Sequence, residues 1–177
     1  MRGTARDILL FESMSDRNPL SNYRRFESVR EYESLLDAMV PNTESIIRVF
    51  DRVLSRAWNG VTRIALLREF LLRSRANKLL IVLHITDNIE SGLPRLVELA
   101  TYFGHAVKIR QTPKMAHHIY DPFVIFDASH YLHRFHHAHM RAARGNHDVE
   151  GAQQLLDRHS ELWDVSAPVA VASTSGL

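Results

Sequence analysis

The residues from His117 to His139, HHIYDPFVIFDASHYLHRFHHAH, hold seven of the chain's eleven histidines. Imidazole transfers protons near neutral pH, ligates transition metals and, when charged, pairs with phosphate. Read as a strand from Tyr131 to about His137, with the same alternation carried on, the segment points Tyr131, His133, Phe135, His137 and His139 to one face. His137 and His139 then have a spacing that suits zinc or copper, with His133 or a carboxylate as a third ligand. The simpler reading is a row of rings lining a solvated strand end, and neither an HExxH motif nor a cysteine supports the metal.

Arg134 sits amid apolar and aromatic strand positions. A guanidinium there needs a partner to offset its desolvation, either an internal carboxylate such as Asp51 or Asp127, or an anionic ligand. The internal pair is the more ordinary solution. Asp121, before Pro122, and Asp127 flank the apolar run FVIF; Asp121 is favoured in a turn for local reasons, and Asp127 either accepts from a histidine or arginine or serves the turn to Ser129. His84 and His159 lie on otherwise apolar patterns and read as hydrogen-bonded core histidines. The basic stretch Arg73 to Lys78 complements a helix C-terminus, which suffices to explain it. No glycine-rich phosphate loop and no Gly-x-Ser-x-Gly elbow is present.

Alternating elements must position these residues. Ser28-Val29-Arg30-Glu31 reads as a capping box opening a helix that Pro41-Asn42 stops. Ser45 to Phe50 is a β-branched strand ending at Asp51. A helix over about 61–75 follows, with Ile64, Leu67, Phe70 and Leu71 as its core stripe and Arg63, Arg68, Arg73 and Arg75 around it. The run LLIVL between Lys78 and His84 suits a strand covered on both faces. Ser91-Gly92-Leu93-Pro94 opens another helix, with Gly104 as its C-terminal cap. Val107 to Arg110 and Phe123 to Asp127 read as strands. Asp148 caps a last helix bearing Leu155, His159 and Leu162, and Ser166 to Leu177 forms an edge strand or a tail. Ile8 to Phe11 is a further possible strand in a partly ordered lead-in over residues 1–25.

This alternation predicts an α/β domain over residues 26–177, with a mixed, largely parallel sheet flanked by helices that turns antiparallel at its end. Ligands of open α/β sheets bind beyond the carboxyl ends of strands. Those ends carry Asp51, His84, Arg110 and Asp127.

The chain of 177 residues is long enough for one cored domain. Its net charge of +2 permits a phosphate-rich partner but is weak for a dedicated nucleic-acid binder. The absence of cysteine excludes disulfides and thiol catalysis. The N-terminus lacks a basic region followed by a long apolar run, and no segment is long enough to span a bilayer, so a cytoplasmic protein without membrane contact is expected.

The segments LLREFLLRSRANKLLIVLH, GLPRLVELATYFGHAVKIRQT, YDPFVIFDASHYLHRF and LLDRHSELWDVS together resemble a bacterial family of phospholipase-D-like single domains, sometimes fused behind a GNAT-type acetyltransferase. The resemblance implies a phospholipase-D-like fold and a homodimer with facing sites. Active members carry His-x-Lys, four residues, then Asp. Anchoring that pattern on Asp127 puts Tyr120 at the histidine position and Pro122 at the lysine position. His117 and His118 lie out of register, and Arg134-Phe135 falls near the family's Gly-Ser.

The expectation is a domain without the phosphohistidine mechanism and without a cofactor. Its site, drawn from His118, Asp127, His133, Arg134 and Asp51, binds an anionic or phosphorylated ligand or serves a protein partner. The alternatives are a divergent phosphodiesterase or nuclease using His133 or His118, and a metal-binding protein using His137 and His139.

Overall fold

The computed structural model describes residues 23–170, so the expected strand at Ile8–Phe11 and the end of the expected C-terminal edge lie outside the described residues. The β-branched and aliphatic runs form the centre of the sheet. Strand β2 (Ile46–Asp51) pairs in parallel with β3 (Lys78–Leu83), which pairs in parallel with β4 (Val107–Gln111). On the other side of β2 lies β5 (Phe123–Phe126), antiparallel to it, followed by β6 (His130–His136), β7 (His139–Gly145) and β1 (Arg24–Phe26). The short β8 (Ala167–Pro168) closes the far edge against β4.

The eight-stranded sheet is therefore mixed, in the order β1-β7-β6-β5-β2-β3-β4-β8, with parallel pairing confined to β2, β3 and β4. This is narrower than the strand–helix alternation predicts, because no helix separates β5, β6 and β7 and tight turns can join only antiparallel neighbours. β1 also falls partly inside the stretch read as a lead-in.

Period-two alternation along the strands divides the core between two faces. Ile47, Val49, Leu79, Ile81 and Leu132 face helices α1 (Val29–Met39), α2 (Val61–Arg73) and α4 (Pro94–Tyr102), reached through the short α3 (Ile89–Gly92). Phe50, Val82, Phe123, Ile125 and Tyr131 face α5 (Val149–Val165). Ser28 caps α1, its Oγ accepting from Glu31 N at 3.2 Å. The Glu31 carboxylate does not return to the cap as a full capping box requires; it pairs with Arg24 of β1. Asp148 caps α5, accepting from Gly151 N at 3.0 Å and from the Tyr131 hydroxyl at 2.6 Å.

Two local expectations are corrected. Gly104 does not cap α4, whose C-cap is Phe103, and no described glycine has positive φ. Pro94 stands at the first position of α4, while Ser91 and Gly92 belong to α3. Arg63, beside the core stripe of α2, is 3% exposed. It pairs with Asp37 and Glu33, both at 2.6 Å, above the Trp58 ring, so its charge is matched where it is desolvated. Arg73 donates to the carbonyls of Pro41 and Thr43 at 2.9 and 2.8 Å, which gives the basic stretch a structural use.

Gly145 pairs with Tyr131 across β6 and β7, and a Cβ there would lie 2.2 Å from the buried Tyr131 ring. Gly145→Ala is expected to destabilise the domain by about 2 kcal/mol, as overpacking of a tight core does. Urea denaturation measures this, and an unchanged midpoint would mean that the ring moves freely.

Candidate anion site at the carboxyl edge of the sheet

Because β5 runs against β2, the residues before β5 lie at the carboxyl edge of β2 and β3, whereas the residue after it lies at the opposite edge. Phe50 is opposite Phe123 and Ile47 opposite Phe126. Asp51, His84 and Tyr120–Pro122 therefore share one edge, and Asp127 does not. The Asp127 carboxylate accepts from the backbone N–H of Glu44, Ser45 and Ile46 at 2.8, 2.9 and 3.1 Å, and from Ser45 Oγ. Burial opposes its ionisation, but these donors hold its pKa below the usual carboxylate range. It stands at φ 55°, a left-handed conformation that aspartate tolerates better than most residues. The expectation that Asp127 sits at the ligand crevice is thus corrected: its oxygens serve the entry to β2.

His133 and Arg134 are consecutive on β6 and face opposite sides of the sheet. His133 Nε2 meets Asp121 Oδ2 at 2.8 Å on the α5 side, where Arg158 of α5 also pairs with Asp121. Although burial works against it, the His133 hydrogen bond holds the Asp121 pKa down. Arg134 faces α1. Its guanidinium lies 5.9 Å from the Tyr32 ring centroid and donates to His137 O at 2.7 Å, while its Nε is buried without a hydrogen-bond partner. No carboxylate among the described residues lies within ion-pair distance of it. Asp51 is nevertheless close enough to feel its charge: burial pushes the Asp51 carboxyl up to about 6, and Arg134 limits that rise.

The strand β6 ends at His136, so the single-face reading of His133, His137 and His139 is corrected. His137 and Ala138 form a two-residue turn, and His139 opens β7 opposite His136. The His136 ring stacks on His137 at 4.6 Å and lies 5.0 Å from Tyr120. His137 N donates to Tyr120 O at 3.0 Å, and Arg134 N donates to Pro122 O at 2.8 Å, which closes the turn onto the loop before β5. Burial lowers the His137 pKa, as do the charges of His136, Arg52 and Arg134. No group of three or more metal-ligating side chains with suitable geometry occurs among the described residues.

His84 is 2% exposed and held at both nitrogens, Nδ1 by Thr112 Oγ1 and Nε2 by Ile119 O, each at 2.6 Å. Its ring lies 4.5 Å from that of His117, whose Nε2 is buried without a partner. His118 is exposed and bonds Met115 O at 2.8 Å. Arg110 is drawn away to the carbonyl of Ser166 and the face of Trp163, so it does not join this edge. The edge thus brings together Asp51, Arg52, Arg134 and His137, with three orphaned buried nitrogens on Arg134, His137 and His117. Sequence reasoning missed Arg52 and the Asp121–His133–Arg158 group, because a charge that follows a strand and a residue 37 positions away carry no local pattern.

The fold is that of a phospholipase-D-like α/β domain. The chain belongs to a family described as a domain of unknown function (DUF7931), whose model matches residues 29–171. Among solved structures it is similar to Nuc from Salmonella typhimurium, a phospholipase D family member, at 13% identity and a TM-score of 0.62, covering 84% of this chain and 98% of that one. NucT from Helicobacter pylori gives 11% identity and a TM-score of 0.57, with 84% and 99% covered. TrmBL2, an archaeal chromatin protein whose structure shows a novel mode of DNA binding, gives 13% identity and a TM-score of 0.61, with 93% of this chain and 60% of that one covered. At these identities the likeness is one of fold. No curated protein matches the sequence. No helix among the described residues is long and apolar enough to cross a membrane.

Two buried groups pull stability in opposite directions with pH. His159 is 2% exposed, and burial lowers its pKa from 6.5 to about 4, so the unfolded chain binds the extra proton between those values and stability rises with pH. Asp51 is raised from 3.8 to about 6, so the folded chain holds the extra proton there and stability falls as pH rises. Each effect is on the order of 2–3 kcal/mol across its window, less for Asp51 where water reaches it. Between pH 4 and 6, Asp51→Asn should leave a stability that rises with pH, and His159→Leu one that rises less or falls. Urea denaturation at both ends of the window checks the ordering of the two slopes.

Proposed function

We propose that the domain is a non-catalytic binding module that takes an anionic, phosphate-bearing ligand at the edge formed by Asp51, Arg52, Arg134 and His137. The observation that carries this reading is Arg134. Its charge is partly desolvated, its Nε is orphaned, and the carboxylate nearest to it in effect is itself disfavoured by burial. Guanidinium donors fit phosphate oxygens in fixed geometry, and a partly water-excluded site strengthens the contact. Arg52 adds positive potential from the same edge, where it acts on His137, whose lowered pKa keeps that ring a neutral hydrogen-bonding group. The likeness in fold to phospholipase D family proteins agrees with a phosphate-bearing ligand, either a free small molecule or a group on a protein partner.

Tyr120 and Pro122 stand where the resemblance requires the nucleophilic histidine and its lysine, and proline cannot supply the lysine's charge. A second reading rests on His133. Its contact with Asp121 fixes the ring and one nitrogen, the arrangement that orients a general base. This divergent phosphodiesterase would lose turnover in His133→Ala, or in His118→Ala if the exposed ring acts instead.

With pyrophosphate as probe, calorimetry at pH 7 should show saturable binding by the wild type, weakened by about tenfold or more in Arg134→Gln. Asp51→Asn removes the competing carboxylate and should tighten binding severalfold. Unchanged affinity in a folded Arg134→Gln variant would sink the anion site. Hydrolysis of bis(p-nitrophenyl) phosphate, with and without chelator, should be absent; turnover that His133→Ala abolishes would establish the enzyme reading in its place.

A further inference from the structure

A separate cavity of about 410 Å3 opens at the carboxyl ends of β2 and β3, between the chain leaving β2 and helix α3. Its walls are mostly apolar, with Leu54, Leu83, Ile85, Ile89 and Leu93, and also carry Arg56, Thr86, Asn88 and Ser91. The backbone beneath it is firm, because β2–β3 pairing continues past the strands, with Ile85 N donating to Arg52 O at 3.0 Å. A volume in the range of roughly 300–1,000 Å3, apolar walls and few polar groups describe a small-molecule pocket. The Arg134 site uses none of these wall residues.

Two polar features distinguish the pocket from a packing gap. Arg56 lines it and has neither an ion pair nor a side-chain hydrogen bond among the described residues. By contrast, the Thr86 hydroxyl on the same wall is committed to Gln111 at 2.9 Å. The second feature is Gly92. Glycine is normally held by a positive φ or by a close neighbour. Gly92 has neither: no described glycine has positive φ, and a Cβ on Gly92 would meet nothing within 4 Å. At the end of α3 this glycine lowers helix stability. What its missing side chain leaves open is space at the pocket wall.

We infer that this cavity binds a small apolar carboxylate, its hydrocarbon body against Leu54, Ile85, Ile89 and Leu93 and its single negative charge met by Arg56. One guanidinium matches one charge, and Ser91 on the same wall supplies a hydroxyl. The assignment is independent of the anion reading at Arg134.

Octanoate and uncharged 1-octanol are the probes, titrated into the full chain by calorimetry and by amide NMR. Saturable octanoate binding is expected, with shift changes centred on residues 85–93. Arg56→Gln, at an exposed position, should weaken octanoate at least tenfold while leaving 1-octanol unchanged. Gly92→Phe should abolish binding of both with the thermal midpoint retained. No saturable binding, shift changes elsewhere, equal weakening of both probes by Arg56→Gln, or undiminished binding by folded Gly92→Phe would each overturn the assignment. Should Gly92→Phe fail to fold, the Arg56→Gln comparison decides the matter alone.

Discussion

The carboxylate of Asp127 gathers three successive backbone N–H groups at the entry to β2, and the rest of the sheet depends on that clasp. It locks the turn after β5 to the chain before β2, and with it the antiparallel register that puts Phe50 opposite Phe123. One residue of slip would send every side chain of β5 to the wrong face. With the register held, the loop before β5 arrives beside Asp51, and the end of β6 folds over it. The residue that in phospholipase-D-like patterns closes the catalytic motif thus has here a structural employment at the edge remote from the site.

Chemistry at the carboxyl edge is a matter of incompletely matched charge. Arg63, more deeply withdrawn from water than the half-buried Arg134, has two carboxylates at contact distance. Arg134 has a carbonyl, an aromatic ring and a distant, half-suppressed acid. Each of the two arginines leaves one buried guanidinium nitrogen without a partner, but only Arg63 has its charge matched by carboxylates. On the α5 side, His133, Asp121 and Arg158 form a matched group that stitches β6 to the helix. The sheet separates the two groups, so they cannot act on one small ligand from a single pocket.

Much of the fold was legible in the sequence because it rests on local periodicity and capping. LLIVL could only be a doubly covered strand, Ser28 and Asp148 did cap their helices, and the stripe Leu67, Phe70 and Leu71 did face the core. His84 was legible as a satisfied core histidine, since an imidazole on an apolar pattern must find partners, and it found Thr112 and Ile119. The histidine spacing was less informative. A two-residue turn at His137-Ala138 broke the alternation on which the single face of His133, His137 and His139 depended.

The sequence by itself determined an α/β domain, its main elements and the oddity of Arg134. Those follow from residue type and short-range spacing, which the chain carries locally. Only the tertiary structure decided that Asp127 leaves the site, that Asp51, Arg52 and His137 join Arg134, and that His133 turns away to Asp121 and Arg158. The physical reason is that strand direction and neighbour choice arise from contacts between residues far apart in the chain, 83 positions for Asp127 with Glu44 and more for Arg24 of β1 with Arg144 of β7. No local pattern records which end of a strand meets which.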